Sequence, residues 1–174
     1  NRVGRMGKLL EDLLDYSRAG RMANETEFVD TAEMVSQVTD LVRGAAPVTI
    51  RTQGLPAFET FRTPLHQVMR NLISNSIKHH DGDECMLDIS ADEQGAYYVF
   101  RVADDGPGIP RQFHKKVFSM FQTLRPRDEV EGSGMGLALV RKVVERYGGY
   151  VQLVDAPGRG TTVEFTWPKA SKGA

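Results

Sequence analysis

Residues 131–149 read EGSGMGLALVRKVVERYGG. Gly132, Gly134 and Gly136 alternate directly before an apolar series at helical spacing, Leu137, Val140, Val143, Val144 and Tyr147. Gly148-Gly149 stop that series, as glycines do at a helix C-terminus. Glycines at a helix entrance let backbone N–H groups approach an anion, and the helix N-terminus favours negative charge. The pattern is not a P-loop, which needs GxxxxGK[ST], because no lysine follows the glycines. Nor is it a dinucleotide fingerprint, which needs GxGxxG straight after a strand; this GxGxG follows the polar stretch 122–131 near the C-terminus. The kinase-type glycine loop is excluded too, since no HRD or DFG segment exists. Alone, the glycines fit a plain helix-entry turn equally well.

Three further segments narrow the choice. In NLISNSIKHH (71–80), Asn71, Asn75 and Lys78 fall at i, i+4, i+7 and share one helical face, while Leu72, Ile73 and Ile77 turn toward a core. Amide oxygens and an ammonium on one face suit a metal-bound polyphosphate, although a solvated polar face would look the same. VADDGPGIP (102–110) ends a strand in an acid and two glycines. Asp104 can accept a hydrogen bond from an exocyclic amine, and Gly106 and Gly108 let backbone approach a flat ring; an ordinary turn is the plainer alternative. GRGTT (158–162) is a glycine turn into a strand.

Around these segments the order is helices interleaved with hairpins. Residues 1–18 form a helical pattern with Val3, Met6, Leu10 and Leu13 at heptad a/d positions, widened by Leu9 and Leu14. Such a stripe needs a partner: its own domain, or the other half of a helical hairpin. A linker, AGRMANETE, follows. Phe28-Val29 reads as a short strand. Asp30 caps the next helix, with Glu33 completing a capping box, and that helix runs to about Arg43. Residues 47–54 and 58–62 read as strands. Thr63-Pro64 marks a second helix start, with Leu65, Val68, Met69, Leu72, Ile73 and Ile77 on its buried face. Residues 85–91 and 97–103 form a hairpin, 111–121 are weakly helical, and YVQLVD and TTVEFTW close the chain as a second hairpin. This alternation predicts an α+β two-layer sandwich.

The composition is that of a globular protein: 174 residues, 40% hydrophobic and 26% charged. With 22 basic and 23 acidic side chains, a net charge of −1 gives no reason to expect nucleic acid as a partner. Cys85 is the only cysteine, which excludes an internal disulfide. No apolar run approaches the roughly 20 residues of a membrane-spanning helix. A reducing, cytoplasmic setting is the expectation, for a chain that reads as a fragment, with room for a membrane segment upstream.

In this order the segments resemble the catalytic and ATP-binding domain of bacterial sensor histidine kinases, in the ATPase/kinase superfamily with the Bergerat fold. The N box matches as NLISNSIKHH, the G1 box as DDGPGI, the F box as FSMF, the G2 box as GSGMGL and the final box as GRGTTVEF. The resemblance covers residues 26–168, leaving 169–174 as a tail. Residues 1–20 resemble the second helix of the family's dimerisation and phosphoacceptor hairpin. The resemblance implies a mixed five-stranded sheet under three helices, preceded by that N-terminal helix, with ATP and Mg²⁺ as cofactors.

It also implies roles. Asn75 would coordinate Mg²⁺. Asn71 and Lys78, the two residues assigned to catalysis, would contact metal or phosphate, with His79 beside them. Asp104 rather than Asp105 would take the adenine amino group, Gly106 and Gly108 would let backbone approach the ring, and Ile109, Phe121 and Thr161 would be further ATP-binding residues. Gly132, Ser133, Gly134, Met135, Gly136 and Leu137 would close over the phosphates. Phe118 and Phe121 would brace the segment before the lid, 122–131, where Arg125 and Arg127 are candidate phosphate contacts. Gyrase-like relatives carry a glutamate base four residues before the metal asparagine; here that position is Asn71, whose amide cannot take a proton. The site therefore looks built for transfer rather than hydrolysis. The family's phosphoacceptor pattern, His-[Glu/Asp]-x-[Arg/Lys]-x-Pro, fits none of His66, His79, His80 and His114, so the acceptor is expected to be absent from this chain and to lie upstream of Asn1, on the hairpin of the same protein or of its partner subunit. A homodimeric full-length kinase and a downstream response-regulator receiver domain are the implied partners. A nucleotide-sensing interaction module without phosphoryl transfer is the alternative.

Overall fold

The computed structural model describes residues 2–19, 21, 25–123, 133–156 and 158–169. Helix α1 (Arg2–Arg18) leads into strand β1 (Glu27–Asp30), helix α2 (Thr31–Val42), strands β2 (Val48–Gln53) and β3 (Ala57–Thr60), and helix α3 (Arg62–Lys78). Strands β4 (Cys85–Gln94) and β5 (Tyr97–Asp104) follow, then two 3-10 turns (Arg111–Phe113, Lys116–Phe118), helix α4 (Gly136–Arg146) and strands β6 (Val151–Val154) and β7 (Thr162–Pro168).

The main sheet has the order β2-β4-β5-β7-β6. It is mixed: β2 runs parallel to β4, and every other pairing is antiparallel. Strands β1 and β3 form a separate two-stranded ribbon. Alternation along β4 buries Cys85, Leu87, Ile89 and Ala91, as expected for a sheet covered on one face. Those residues meet a layer of helices whose apolar stripes supply Met34, Val35 and Val38 from α2, Val68, Met69, Leu72 and Ile73 from α3, and Val140, Val143 and Val144 from α4. Phe100 and Phe165 stack between neighbouring strands with centroids 5.1 Å apart. Trp167, fully buried, stacks on Tyr147 and donates its indole N–H to Thr60 Oγ1 at 2.8 Å. The expected α+β sandwich is the fold observed, with α2, α3 and α4 as the helical layer.

Several local expectations are corrected. Asp30 does cap α2, accepting from Ala32 and Glu33 N–H. The capping box is not completed, because the Glu33 carboxylate instead accepts from Gln37 one turn on. The strand expected over 58–62 ends at Thr60, and α3 begins at Arg62 with Phe61 at the cap position, so Thr63-Pro64 lies inside the first turn. Tertiary pairing of β1 with β3 sets that boundary, rather than a hydroxyl cap. Residues 111–121 give two 3-10 turns in place of a helix.

Helix α1 has no buried residue. Lys142 Nζ ties it to α4, donating to the Tyr16 carbonyl at 2.7 Å and standing 4.1 Å from the Tyr16 ring centroid. Its apolar stripe is divided: Leu9 and Leu13 are half-buried, whereas Val3 is 75% exposed, Met6 66%, Leu10 60% and Leu14 53%. No helix among the described residues is long and apolar enough to cross a membrane.

Candidate nucleotide-binding site

The C-terminal end of β5, the cleft-facing edge of α3 and the N-terminus of α4 enclose a cleft of about 230 Å³. Asn71, Asn75, Lys78, His79, Asp104, Gly108, Ile109, Ser133, Gly134, Gly136, Leu137 and Thr161 line it. The structure thus gathers twelve sequence-predicted residues from segments up to 90 positions apart. Arg125, Arg127 and Gly132 fall outside the described residues.

Two groups of contacts divide the cleft. In the first, Asp104 Oδ1 accepts the Gly106 N–H at 3.0 Å and the Thr161 N–H at 3.2 Å, and Asp104 N–H in turn donates to the Thr161 carbonyl at 2.9 Å. Strand pairing of β5 with β7 delivers this arrangement, since the β-ladder runs straight into it. Gly160, at φ +114°, presses on the same spot; a Cβ there would stand 1.8 Å from the Asp104 carbonyl oxygen. Gly106 is buried and reaches the cleft only through Asp104. Asp105 points away from the cleft, accepting from Met86 N–H at 3.0 Å and from His80 Nε2 at 2.8 Å. Burial pushes its carboxyl pKa up, and these hydrogen bonds outweigh that and hold it low.

In the second group, α3 presents Asn71 and Asn75 under the first residue of α4. A Cβ on Gly136 would lie 3.3 Å from both amide atoms of Asn75 and 3.4 Å from Asn71 Oδ1, so glycine at that position lets the helix N-terminus approach. Asn71 Nδ2 donates to the Gln67 carbonyl at 2.8 Å, which fixes the amide and leaves its oxygen on the Gly136 side. Gly134, at φ +72°, packs against Phe121 and Gln122 backbone, where any side chain would overlap. Met135 is buried at the N-cap of α4 and Phe121 is exposed; neither lines the cleft.

Sequence reasoning missed part of the wall. Lys8 and Asp12 of α1 line the cleft, and Asp12 accepts a hydrogen bond from the Ser133 hydroxyl. Their i, i+4 spacing on the polar side of an amphipathic helix carried no motif. Gln122, Thr123 and Val117 join from the segment after the 3-10 turns. His80, Cys85 and Asp105 place potential ligand atoms within 4.8 Å of one another. The His80–Asp105 bond engages two of those atoms, and burial first, with Asp104 and Asp105 adding, pushes the Cys85 thiol up to about 11; the cluster ties the Asp105 carboxylate to the start of β4 through Met86. Of the histidines outside the cleft, His66 is half-buried, with its pKa lowered by burial and by Arg70 and Arg62. His114 bonds the Ile109 carbonyl through Nε2 at 2.8 Å.

A glycine-lined helix N-terminus thus stands over two asparagines, beside an aspartate pinned at a strand end, in a domain of the α+β type. Residues 60–171 match the family described as histidine kinase-, DNA gyrase B-, and HSP90-like ATPase, and the chain belongs to it. The relatives place it on the histidine kinase branch as a sensor histidine kinase ATP-binding domain. It is 34% identical over 169 residues to the phytochrome-like protein Cph1 of Synechocystis sp., covering 95% of this chain and 23% of that protein. It is also 34% identical over 171 residues to the methanogenesis regulatory histidine kinase FilI of Methanothrix harundinacea, covering 95% and 19%. The chain thus spans about a fifth to a quarter of these relatives. The fold is shared with full-length ShkA in complex with AMPPNP (TM-score 0.78, 24% identity, 96% of this chain and 36% of that one). It is shared also with the catalytic domain of histidine kinase ThkA (TM-score 0.70, 24% identity, 83% and 96%).

Proposed function

We propose that this chain is the phosphoryl-donating part of a two-component sensor histidine kinase, transferring the γ-phosphoryl of Mg-ATP to a histidine on a separate hairpin. The observation that carries this reading is one cleft holding both a pinned carboxylate, Asp104, and a paired-amide face, Asn71 and Asn75, under a glycine helix entrance. The two backbone N–H groups on Asp104 Oδ1 orient the carboxylate to take the adenine amino group on its other oxygen. Gly108, at φ +78° against Gly160, lets the G1 backbone lie flat beside the ring.

The donor set fits Mg²⁺: a hard cation takes amide oxygens together with phosphate oxygens and water, and Asn75, close under Gly136, offers one. Bound there, the ion would neutralise phosphate charge. Asn71 would orient the polyphosphate, and Lys78 would add positive charge. The α4 N-terminus, with Ser133 and Gly134 before it, would supply N–H groups to phosphate oxygens, and the 122–131 segment, with Arg125 and Arg127 as candidate contacts, would close over them. Asn71 gives water no base, so catalysis reduces to positioning and charge neutralisation. The exposed part of the α1 stripe supports its assignment as one helix of a dimerisation hairpin, spanning residues 1–20 beside an ATP-binding domain of residues 26–168, in a homodimeric kinase serving a response-regulator receiver domain in the cytoplasm.

Calorimetry with a non-hydrolysable ATP analogue tests the site. The chain should bind it with Mg²⁺ much more tightly than without, and Asn75→Ala should lose most of that difference. Full Mg²⁺ dependence in the variant would refute the metal assignment.

A further inference from the structure

The base site described above is completed by a turn, residues 158–161, that carries the Thr161 N–H to Asp104. That turn is itself anchored. Arg159 reaches across to Asp81, in the loop after α3, forming an ion pair through Nη2. Its Nη1 is 3.4 Å from the Asp105 carbonyl oxygen. Asp81 is held low chiefly by its hydrogen bond from Arg159. Next to Asp81, the His80 imidazole holds the Asp105 carboxylate. One guanidinium therefore joins three loops: the end of the N-box segment, the G1 loop and the 158–161 turn.

We infer that Arg159 is a positioning residue for adenine recognition, acting through Thr161 and Asp104 without touching the nucleotide. The geometry supports this over two simpler roles. Arg159 is not among the residues lining the cleft, and its guanidinium is engaged by Asp81 and the Asp105 carbonyl instead. The Arg159 and Asp81 side chains are 57% and 32% exposed, and an ion pair that open to water adds little to global stability. What it does fix is local: the turn bears directly on the Asp104 carbonyl through Gly160 and on Gly108 through the Gly160 carbonyl. Shifting the turn moves the Thr161 N–H off Oδ1, and the carboxylate loses one of its two orienting donors. One such hydrogen bond corresponds to roughly a three- to tenfold change in affinity.

The inference rests on the adenine reading of the cleft, and the experiment separates the two. Binding of a non-hydrolysable ATP analogue and of inorganic tripolyphosphate is measured with Mg²⁺ for the wild-type chain and for Arg159→Ala, Arg159→Lys and Asp81→Asn. Arg159→Ala should weaken the analogue about three- to tenfold while leaving tripolyphosphate unchanged. Arg159→Lys should recover part of the loss, and Asp81→Asn, which removes the charge of the ion pair but keeps an acceptor without changing the turn, should reproduce a smaller loss in the same direction. If Arg159→Ala is poorly folded, Asp81→Asn carries the test alone. Unchanged analogue affinity in Asp81→Asn and in a folded Arg159→Ala would overturn the inference. Equal losses for analogue and tripolyphosphate would also overturn it, since the arginine would then act as a phosphate-attracting charge. Failure of the wild-type chain to bind the adenine nucleotide at all would overturn the cleft reading and this inference with it.

Discussion

The carboxylate of Asp12 on α1 accepts the hydroxyl of Ser133, 121 residues further along the chain, at the entrance to α4. A negative charge is thereby placed on the lip of a site that would receive a polyphosphate. One charge at this depth contributes roughly 0.5–1 kcal/mol of repulsion. Asp12→Asn should therefore tighten Mg-ATP binding about two- to fivefold, with the gain shrinking as salt is raised. A titration series in low and high salt reads it; weaker binding in the variant would mean that Asp12 supports the loop rather than opposing the nucleotide.

Base choice should follow Asp104. Guanine presents a carbonyl oxygen where adenine presents an amine, so two acceptors would face each other, at a cost of about 1–3 kcal/mol. ATP should bind at least about fivefold tighter than GTP, and Asp104→Ala should abolish measurable ATP binding. Equal affinities for the two nucleotides would remove Asp104 from the base site.

Gly160 and Gly158 belong to one turn and differ sharply in their surroundings. A Cβ at Gly160 would overlap the Asp104 carbonyl, whereas nothing lies within 4 Å of one at Gly158. Gly160→Ala should lower ATP affinity by an order of magnitude or more, because the G1 loop must yield or the left-handed φ must be strained. Gly158→Ala should bind as wild type. Comparable losses in both variants would show that the turn tolerates displacement.

The tie from Asp105 to His80 and Met86 should appear in acid. Asp105 has a depressed pKa in the folded chain, so its contribution is complete above the unfolded carboxyl value of about 4 and is lost as pH falls through the lower folded value. Urea denaturation should find wild type more stable than Asp105→Asn at pH 7, with the gap closing on acidification. A gap that stayed constant to pH 2 would contradict this linkage.

How much of this was legible in advance depended on whether the information was local. The N-box face was readable because Asn71, Asn75 and Lys78 lie on one helix, where spacing alone fixes their direction. The choice of Asp104 over Asp105 followed from family resemblance; in the structure strand β5 ends so that Asp104 lines the cleft and Asp105 meets His80. Asp12, Lys8 and Arg159 were invisible. Asp12 pairs with Ser133 and Arg159 with Asp81 across tertiary contacts of dozens of residues, and although Arg159 lies inside the GRGTT segment, nothing in that segment's spacing points to Asp81. The capping box failed for a related reason: Glu33 had a second local partner in Gln37, and the sequence does not rank the two.

The central claim is that the cleft donates a phosphoryl group to histidine rather than to water. The most direct measurement incubates this chain with γ-labelled ATP and Mg²⁺, alone and with a separate helical hairpin bearing a His-[Glu/Asp]-x-[Arg/Lys]-x-Pro acceptor from a related kinase. The account predicts slow phosphate release and an unlabelled chain in the first case, and an acid-labile, base-stable label on the hairpin in the second. Rapid hydrolysis with no hairpin labelling, or stoichiometric acid-labile label on His66, His79, His80 or His114, would contradict it.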